Sequence, residues 1–175
     1  MPYRNTPTIT VPLANYQVTG LPFGKRSVLQ GVLWGIHLGE DILAPVGTDV
    51  RAIGRGTVVY SALHAGDQDK GNWGYIVIIR HRHPKRRQTF YSLYGHLGDS
   101  YKRIGDTVEL DEPLGFIGEK NTRENGFWEA HLHFAIYLGP WKKQVLPGYW
   151  KDGDTRTRPE WWVVPSEFIE NYTKE

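Results

Sequence analysis

Short apolar or alternating runs recur along this chain at intervals of about ten residues, each closed by Gly, Pro, Asp or Asn. They run from Val28 to Trp34, Val50 to Ile53, Thr57 to Leu63, Tyr75 to Arg80, Thr89 to Tyr94, Thr107 to Leu110, Leu114 to Ile117 and His131 to Leu138. Runs this short fit strands of roughly four to eight residues and are too brief for ordinary helices. Twenty glycines suit the many tight turns such strands need. The pattern predicts an all-β fold, an antiparallel sandwich or barrel of short strands. Helix is expected in one short C-terminal segment, after Pro165, where Ser166 can cap Glu167 to Tyr172.

With 175 residues and no low-complexity linker, the whole chain, 1–175, is expected to be one domain. Its core spans about 28–138. Residues 1–27, with Pro2, Pro7, Pro12 and Pro22, read as an extended wrapping arm. Residues 139–175 form an extension rich in Trp and Pro. Its Trp141, Trp150, Trp161 and Trp162 are expected to pack a long loop onto the sheet, with a substrate platform as the alternative. A net charge of +2 argues against general nucleic-acid binding, although the basic run from Arg80 to Arg87 is local. No stretch is apolar over a membrane-spanning length. The residues from Met1 to Pro7 lack the pattern of a signal peptide, so the expected location is cytoplasmic, and work at a cell wall requires release by another route. A monomer is expected. There is no internal repeat, phosphate-binding loop or nucleophile elbow.

The chemistry lies in the histidines. His37 and Asp41 stand in His-Leu-Gly-Glu-Asp, and His131 and His133 in His-Leu-His-Phe about ninety residues later. A catalytic zinc needs three protein ligands and one open position, which two distant motifs can supply together. Since the chain has no cysteine, any such metal is bound wholly by histidine and carboxylate. Residues two apart on a strand share a face and lie roughly 6.6 Å apart, so one of His131 and His133 can bind metal while the other works beside it. Four extended residues would separate His37 from Asp41 by about 13 Å, so that segment must bend, and Gly39 permits it. His81-Arg82-His83 has the same spacing, but among Arg80, Lys85, Arg86 and Arg87 it reads as a solvated hairpin end. In the run Phe90 to Leu97, alternation puts Phe90, Ser92, Tyr94 and His96 on one face, and Tyr91, Leu93 and Leu97 on the other.

These segments resemble the M23 family of zinc metallopeptidases, the lysostaphin-type peptidoglycan endopeptidases. Its His-x-Gly-x-Asp signature is matched by His37, Gly39 and Asp41 and continues to Val50. Tyr94-Gly95-His96-Leu97 and His131 to Phe134 match two further motifs, and Gly105 to Val108 and Leu114 to Gly118 are similar to its glycine-punctuated hairpins. The resemblance covers roughly residues 28–138. It implies a duplicated-hybrid-motif-like fold, one Zn2+ held by His37, Asp41 and His133, and His96 and His131 as the catalytic pair. It further implies cleavage of peptide bonds in peptidoglycan stem or cross-bridge peptides.

Two departures stand out. The approach to the last motif, small in many members, is here the bulky, charged segment from Asn121 to Ala130, whose Phe127 and Trp128 are expected to line one wall of the groove. Some relatives use a Tyr just upstream of the first ligand, whereas residues 27–36 offer Trp34 and no Tyr. Two other classes compete. One is an M23-like module that binds peptidoglycan or a protein without cleaving; the other is a phosphohistidine carrier of related architecture, which needs no Asp ligand.

Overall fold

The computed structural model describes residues 9–29 and 31–173. The chain forms strands β1 (Arg26–Leu29), β2 (Val32–His37), β3 (Glu40–Leu43), β4 (Asp49–Arg51), β5 (Gly56–His64), β6 (Gly74–Arg82), β7 (Thr89–Ser100), β8 (Thr107–Val108), β9 (Pro113–Ile117), β10 (His131–Tyr137), β11 (Tyr149–Trp150) and β12 (Trp162–Val163), then helix α1 (Pro165–Thr173). All pairings are antiparallel, in a larger sheet ordered β12-β10-β7-β6-β5-β8 and a small one ordered β1-β2-β11. The expected all-β antiparallel architecture with one short C-terminal helix is what forms.

The central strands are apolar on both faces, which marks a sheet covered on both sides. On β6, Val77 and Ile79 enter one core while Ile76 and Ile78 enter another. On β10, Leu132, Phe134 and Ile136 point into the first core and Ala135 and Tyr137 into the second. The first core is closed by β4, β9, α1 and the arm, whose Ile9 and Leu13 are buried in it. The second is covered by the Trp-rich extension, with Leu146 and Trp162 buried and Trp141, Trp150 and Trp161 packed against them. Packing is thus what these tryptophans do. β7 is long enough to serve two neighbourhoods: Tyr91 to Gly95 pair with β10, and Leu97 to Ser100 pair with β9.

Several expectations are corrected. The run from Val28 to Trp34 is two strands, because Gly31, at φ 75°, turns the chain within it. Glu40–Leu43, Tyr149–Trp150 and Trp162–Val163 are strands too short to announce themselves. Ser166 lies inside the first turn of α1, and its hydroxyl donates to Glu40 (2.6 Å) instead of capping its own helix. His81 and His83 are not a solvated end but are 2% and 5% exposed. His81 Nδ1–H donates to the Arg55 carbonyl (2.9 Å), its Nε2 accepts from Ser92 Oγ (2.7 Å), and its ring stacks on Phe90.

Burial holds the His81 pKa down to about 4, against the opposing effect of its hydrogen bond to Arg55. The folded protein therefore favours the neutral ring, and the unfolded chain, whose His titrates near 6.5, takes up the proton first. This stabilisation is fully present above about pH 6.5 and is lost as pH falls towards 4, amounting to roughly 3 kcal/mol at about 1.4 kcal/mol per pKa unit. Urea unfolding of wild type and His81→Gln between those pH values should show the pH-linked loss reduced by that amount in the variant.

Candidate metal centre and active site

β10 is the platform of the site. On one side His133 faces Asp41 of β3, and on the other it faces Gly95 of β7. His37 ends β2, where its backbone faces Tyr149 of β11. Between His37 and Asp41 the chain turns through Leu38 and Gly39. Gly39 is needed there for space: a Cβ would lie 2.6 Å from both His133 Nε2 and the Phe134 carbonyl oxygen. The conformational freedom expected of it is not what the site uses, since its φ is not positive.

Three donor atoms converge. His37 Nε2 lies 3.0 Å from His133 Nδ1 and 3.3 Å from Asp41 Oδ1, and the last two are 3.1 Å apart. A tetrahedral zinc with bonds of about 2.0–2.1 Å has ligand-to-ligand edges of about 3.3 Å, so this triangle fits one face of its coordination sphere. The donor set is also right: two imidazoles and one carboxylate, all suited to zinc. His37 Nδ1–H donates to the Pro22 carbonyl (3.1 Å), which leaves Nε2 with its lone pair towards the triangle. His133 differs, for its outer Nε2 is buried with no hydrogen-bond partner among the described residues, and the ring is fixed by contact with Trp73 at 4.9 Å between centroids. Burial alone would raise the Asp41 carboxyl, but the adjoining His133 and His37 rings outweigh it and hold the group well below the usual carboxylate range. Burial pushes His133 down to about 4, so it stays a neutral ligand-ready ring.

His96 and His131 sit beside the triangle, their rings 4.5 Å apart. Simple alternation puts His96 on the wrong face. A bulge intervenes: Val77 pairs with Tyr94 but Tyr75 with Leu97, and His96 takes a left-handed φ of 64°. The bulge sends Leu97 into the first core with Tyr94 and turns His96 towards His131. Both rings are tethered alike, His96 Nδ1–H to the Asn125 carbonyl (3.0 Å) and His131 Nδ1–H to the Glu129 carbonyl (2.7 Å). Each therefore turns its Nε2 lone pair inward when neutral. Burial, then the charges of His131 and His133, drive the His96 pKa well below its ordinary value.

The 121–130 segment thus holds both rings as well as shaping the groove. Its organiser is Asn125, fully buried, which no motif flagged. Its side chain accepts from the Trp128 N–H (2.7 Å) and donates to the Glu129 carbonyl (3.3 Å), the same oxygen that tethers His131. Trp128 lines the cavity, as expected; Phe127, at φ 65°, is not part of that lining. The cavity, about 330 Å³, is walled by Trp34, Trp73, Trp128 and Tyr149 around His96, His131 and Asp41. Ring contacts run without a break from His37 through Tyr149, Trp34, Trp128, His96, Trp73 and His133 back to His37. Tyr149 was invisible as a site residue because it comes from the extension; burial, then the charge of Asp41, pushes its hydroxyl up to about 12.

A model of peptidase family M23 matches residues 35–146. The DD-carboxypeptidase/endopeptidase Mpg of Neisseria meningitidis serogroup B is 33% identical over 117 residues, 67% of this chain and 24% of that protein. The chain thus spans about a quarter of the length of that relative. The catalytic domain of lysostaphin from Staphylococcus simulans superposes with a TM-score of 0.53 at 22% identity, covering 86% of this chain and 90% of that one. A zinc-containing peptidase from Vibrio cholerae gives a TM-score of 0.57 at 21% identity, over 85% and 40% of the two chains. The fold is shared with these domains.

Zinc titrated into metal-free protein should bind with one-to-one stoichiometry, and His133→Ala or Asp41→Ala should abolish tight binding. A fully loaded His133→Ala variant in metal analysis would show that the triangle is not the ligand set.

Proposed function

Because the chain belongs to peptidase family M23, we propose that it is a zinc-dependent endopeptidase acting on the stem or cross-bridge peptides of peptidoglycan. The observation that carries the proposal is the three-donor triangle of His37, Asp41 and His133 beside two imidazoles with inward Nε2 lone pairs. Similarity to the peptidoglycan DD-endopeptidase ShyC of Vibrio cholerae, 30% identical over 102 residues, supports the substrate class. Peptidoglycan lies outside the membrane, so the proposal requires that the protein reach it, by lysis or by export. No helix among the described residues is long and apolar enough to cross a membrane. One chain supplies all five side chains, which supports action as a monomer.

Zinc in the triangle supplies Lewis acidity that polarises a scissile carbonyl and lowers the pKa of water. The rest is done by the chain. His131 Nε2, 3.8 Å from Asp41 Oδ1, takes the proton of the attacking water, and the nearby carboxylate stabilises the imidazolium that results. The same proton then goes to the leaving amine. His96 Nε2, held inward beside it, aligns the reacting groups and shares in that transfer. The tethers to the Asn125 and Glu129 carbonyls keep both rings in the accepting tautomer, so no reorientation is needed during reaction. Trp34 and Trp128, in edge contact 5.6 Å apart between centroids, narrow the cavity and favour peptides of glycine or small D-residues.

The decisive experiment is digestion of purified peptidoglycan with and without zinc, followed by mass analysis of released fragments. New peptide termini are expected; protein bound to intact material without fragments would instead favour a non-cleaving module. His131→Ala and His96→Ala should each keep zinc and lose roughly 10²- to 10⁴-fold in rate. Their double variant should lose less than the product of the two, because they serve one transition state. Asn125→Ala, which loosens both tethers, should lower kcat by up to about 10²-fold with zinc content unchanged. Full turnover in either histidine variant would end the mechanism.

A further inference from the structure

The residues matching the family begin at 35, yet both ligands of the first motif are held by chain that precedes it. His37 N–H donates to the Lys25 carbonyl (2.9 Å), Gly24 N–H donates to the His37 carbonyl (2.9 Å), and His37 Nδ1–H donates to the Pro22 carbonyl (3.1 Å). Asp41 N–H donates to the Leu21 carbonyl (3.0 Å), and Gly20 N–H donates to the Asp41 carbonyl (3.0 Å). Within residues 20–25, five hydrogen bonds therefore go to His37 and Asp41. The arm runs close over the second ligand, for a Cβ on Gly20 would lie 2.8 Å from Asp41 Cβ and 3.1 Å from its carbonyl oxygen.

The arm is itself fastened by the residue between Gly39 and Asp41. Glu40 is 3% exposed, an unusual setting for a carboxylate, and tolerable only because its oxygens are fully engaged. Tyr16 OH donates to Oε2 (2.6 Å), Ser166 N–H to the same oxygen (2.9 Å), and Ser166 Oγ–H to Oε1 (2.6 Å). One side chain thus ties the arm and the start of α1 to the strand that carries Asp41. Arm, helix and metal strand meet at a single carboxylate.

We propose that residues 16–25 are a working part of the metal centre: a clamp that presents His37 Nε2 and Asp41 to the ion, with Glu40 as its latch and Tyr16 and Gly20 as positioning residues. The inference rests on the zinc reading above. Its chemistry is that of an outer coordination layer. A free imidazole can carry its proton on either nitrogen, and the Pro22 carbonyl removes that choice for His37. Asp41 has its backbone pinned on both the N–H and the carbonyl side, so its carboxylate starts from a fixed position. Among the described residues His133 Nε2 has no hydrogen-bond partner, so the hydrogen-bonded pre-organisation of the triangle lies on the His37 and Asp41 side, where the clamp is.

The test measures zinc affinity by chelator competition, and melting of the metal-free protein, for wild type, Gly20→Val, Tyr16→Phe and Glu40→Gln. Gly20→Val pushes the arm off Asp41, while the other two loosen the latch without adding bulk. Outer-layer changes typically weaken metal binding about 10- to 100-fold, and that loss is expected in Gly20→Val, with a smaller one in Tyr16→Phe and Glu40→Gln. Proton-nitrogen correlation spectra of the metal-free proteins should show His37 protonated at Nδ1 in wild type and as a tautomer mixture in Gly20→Val. A role in folding alone predicts lower melting temperatures with unchanged zinc affinity in the folded fraction, and that result overturns the inference. Should Gly20→Val fail to fold, Tyr16→Phe and Glu40→Gln decide by the same affinity criterion. If wild type binds no zinc, the functional reading fails and the clamp with it; tight zinc in wild type and in every variant overturns the clamp alone.

Discussion

The site depends on one strand register. With Asp41 set opposite His133 on β3 and β10, and Gly95 opposite His133 on β7, a ligand from each motif meets in a single row across three strands. Slipping β3 by one residue would put Ile42 or Glu40 in the place of Asp41 and turn the ligand to the other face. The apolar partners prevent that slip. Ile42, Leu132, Phe134 and Ile136 are all committed to the first core, so moving the register would drag them out of it. Glycines then make room for the ring that the register delivers. A Cβ on Gly95 would lie 2.6 Å from the Trp73 ring, and one on Gly148 would lie 2.8 Å from it, so the indole that fixes His133 needs both.

The triangle is costly to assemble without an ion. Three lone-pair donors about 3 Å apart, two of them on buried rings, repel unless a proton or a cation lies between them. Binding zinc relieves that repulsion, so metal affinity and folding stability are coupled. The arrangement persists because the surrounding frame is rigid, with two apolar cores on either side of the central strands.

Much of this was legible in the sequence, and what was not has identifiable causes. The five residues His37, Asp41, His96, His131 and His133 could be named because motifs are local, and strand periodicity gave the all-β class. The face of His96 could not be read from alternation, because a bulge adds a residue that periodicity does not count. His81 and His83 looked solvated because their neighbours are basic, yet Ser92, Phe90 and Phe168 give them buried partners that lie far along the chain or on another element. Tyr149 and Asn125 carry no signature of their own, and only long-range packing brings the first to the cavity and the second to His96. The hydrogen bonds that residues 20–25 make to His37 and Asp41 use only the backbone of that segment, which leaves no pattern of residue types to detect.

That last property has an evolutionary side. His37, His96 and His131 are each aimed by a main-chain carbonyl, those of Pro22, Asn125 and Glu129. A carbonyl survives any side-chain substitution, so at Pro22 and Glu129 the aim of the ring is sheltered from most point mutations, whereas at Asn125 the side chain also holds the segment in place. The aim is exposed to changes in chain path instead. Among descendants of this sequence, the segments before β2 and before β10 should drift in composition, Gly20 and Asn125 excepted, while keeping their lengths, since adding or deleting one residue would move the acceptor and not merely alter its neighbour.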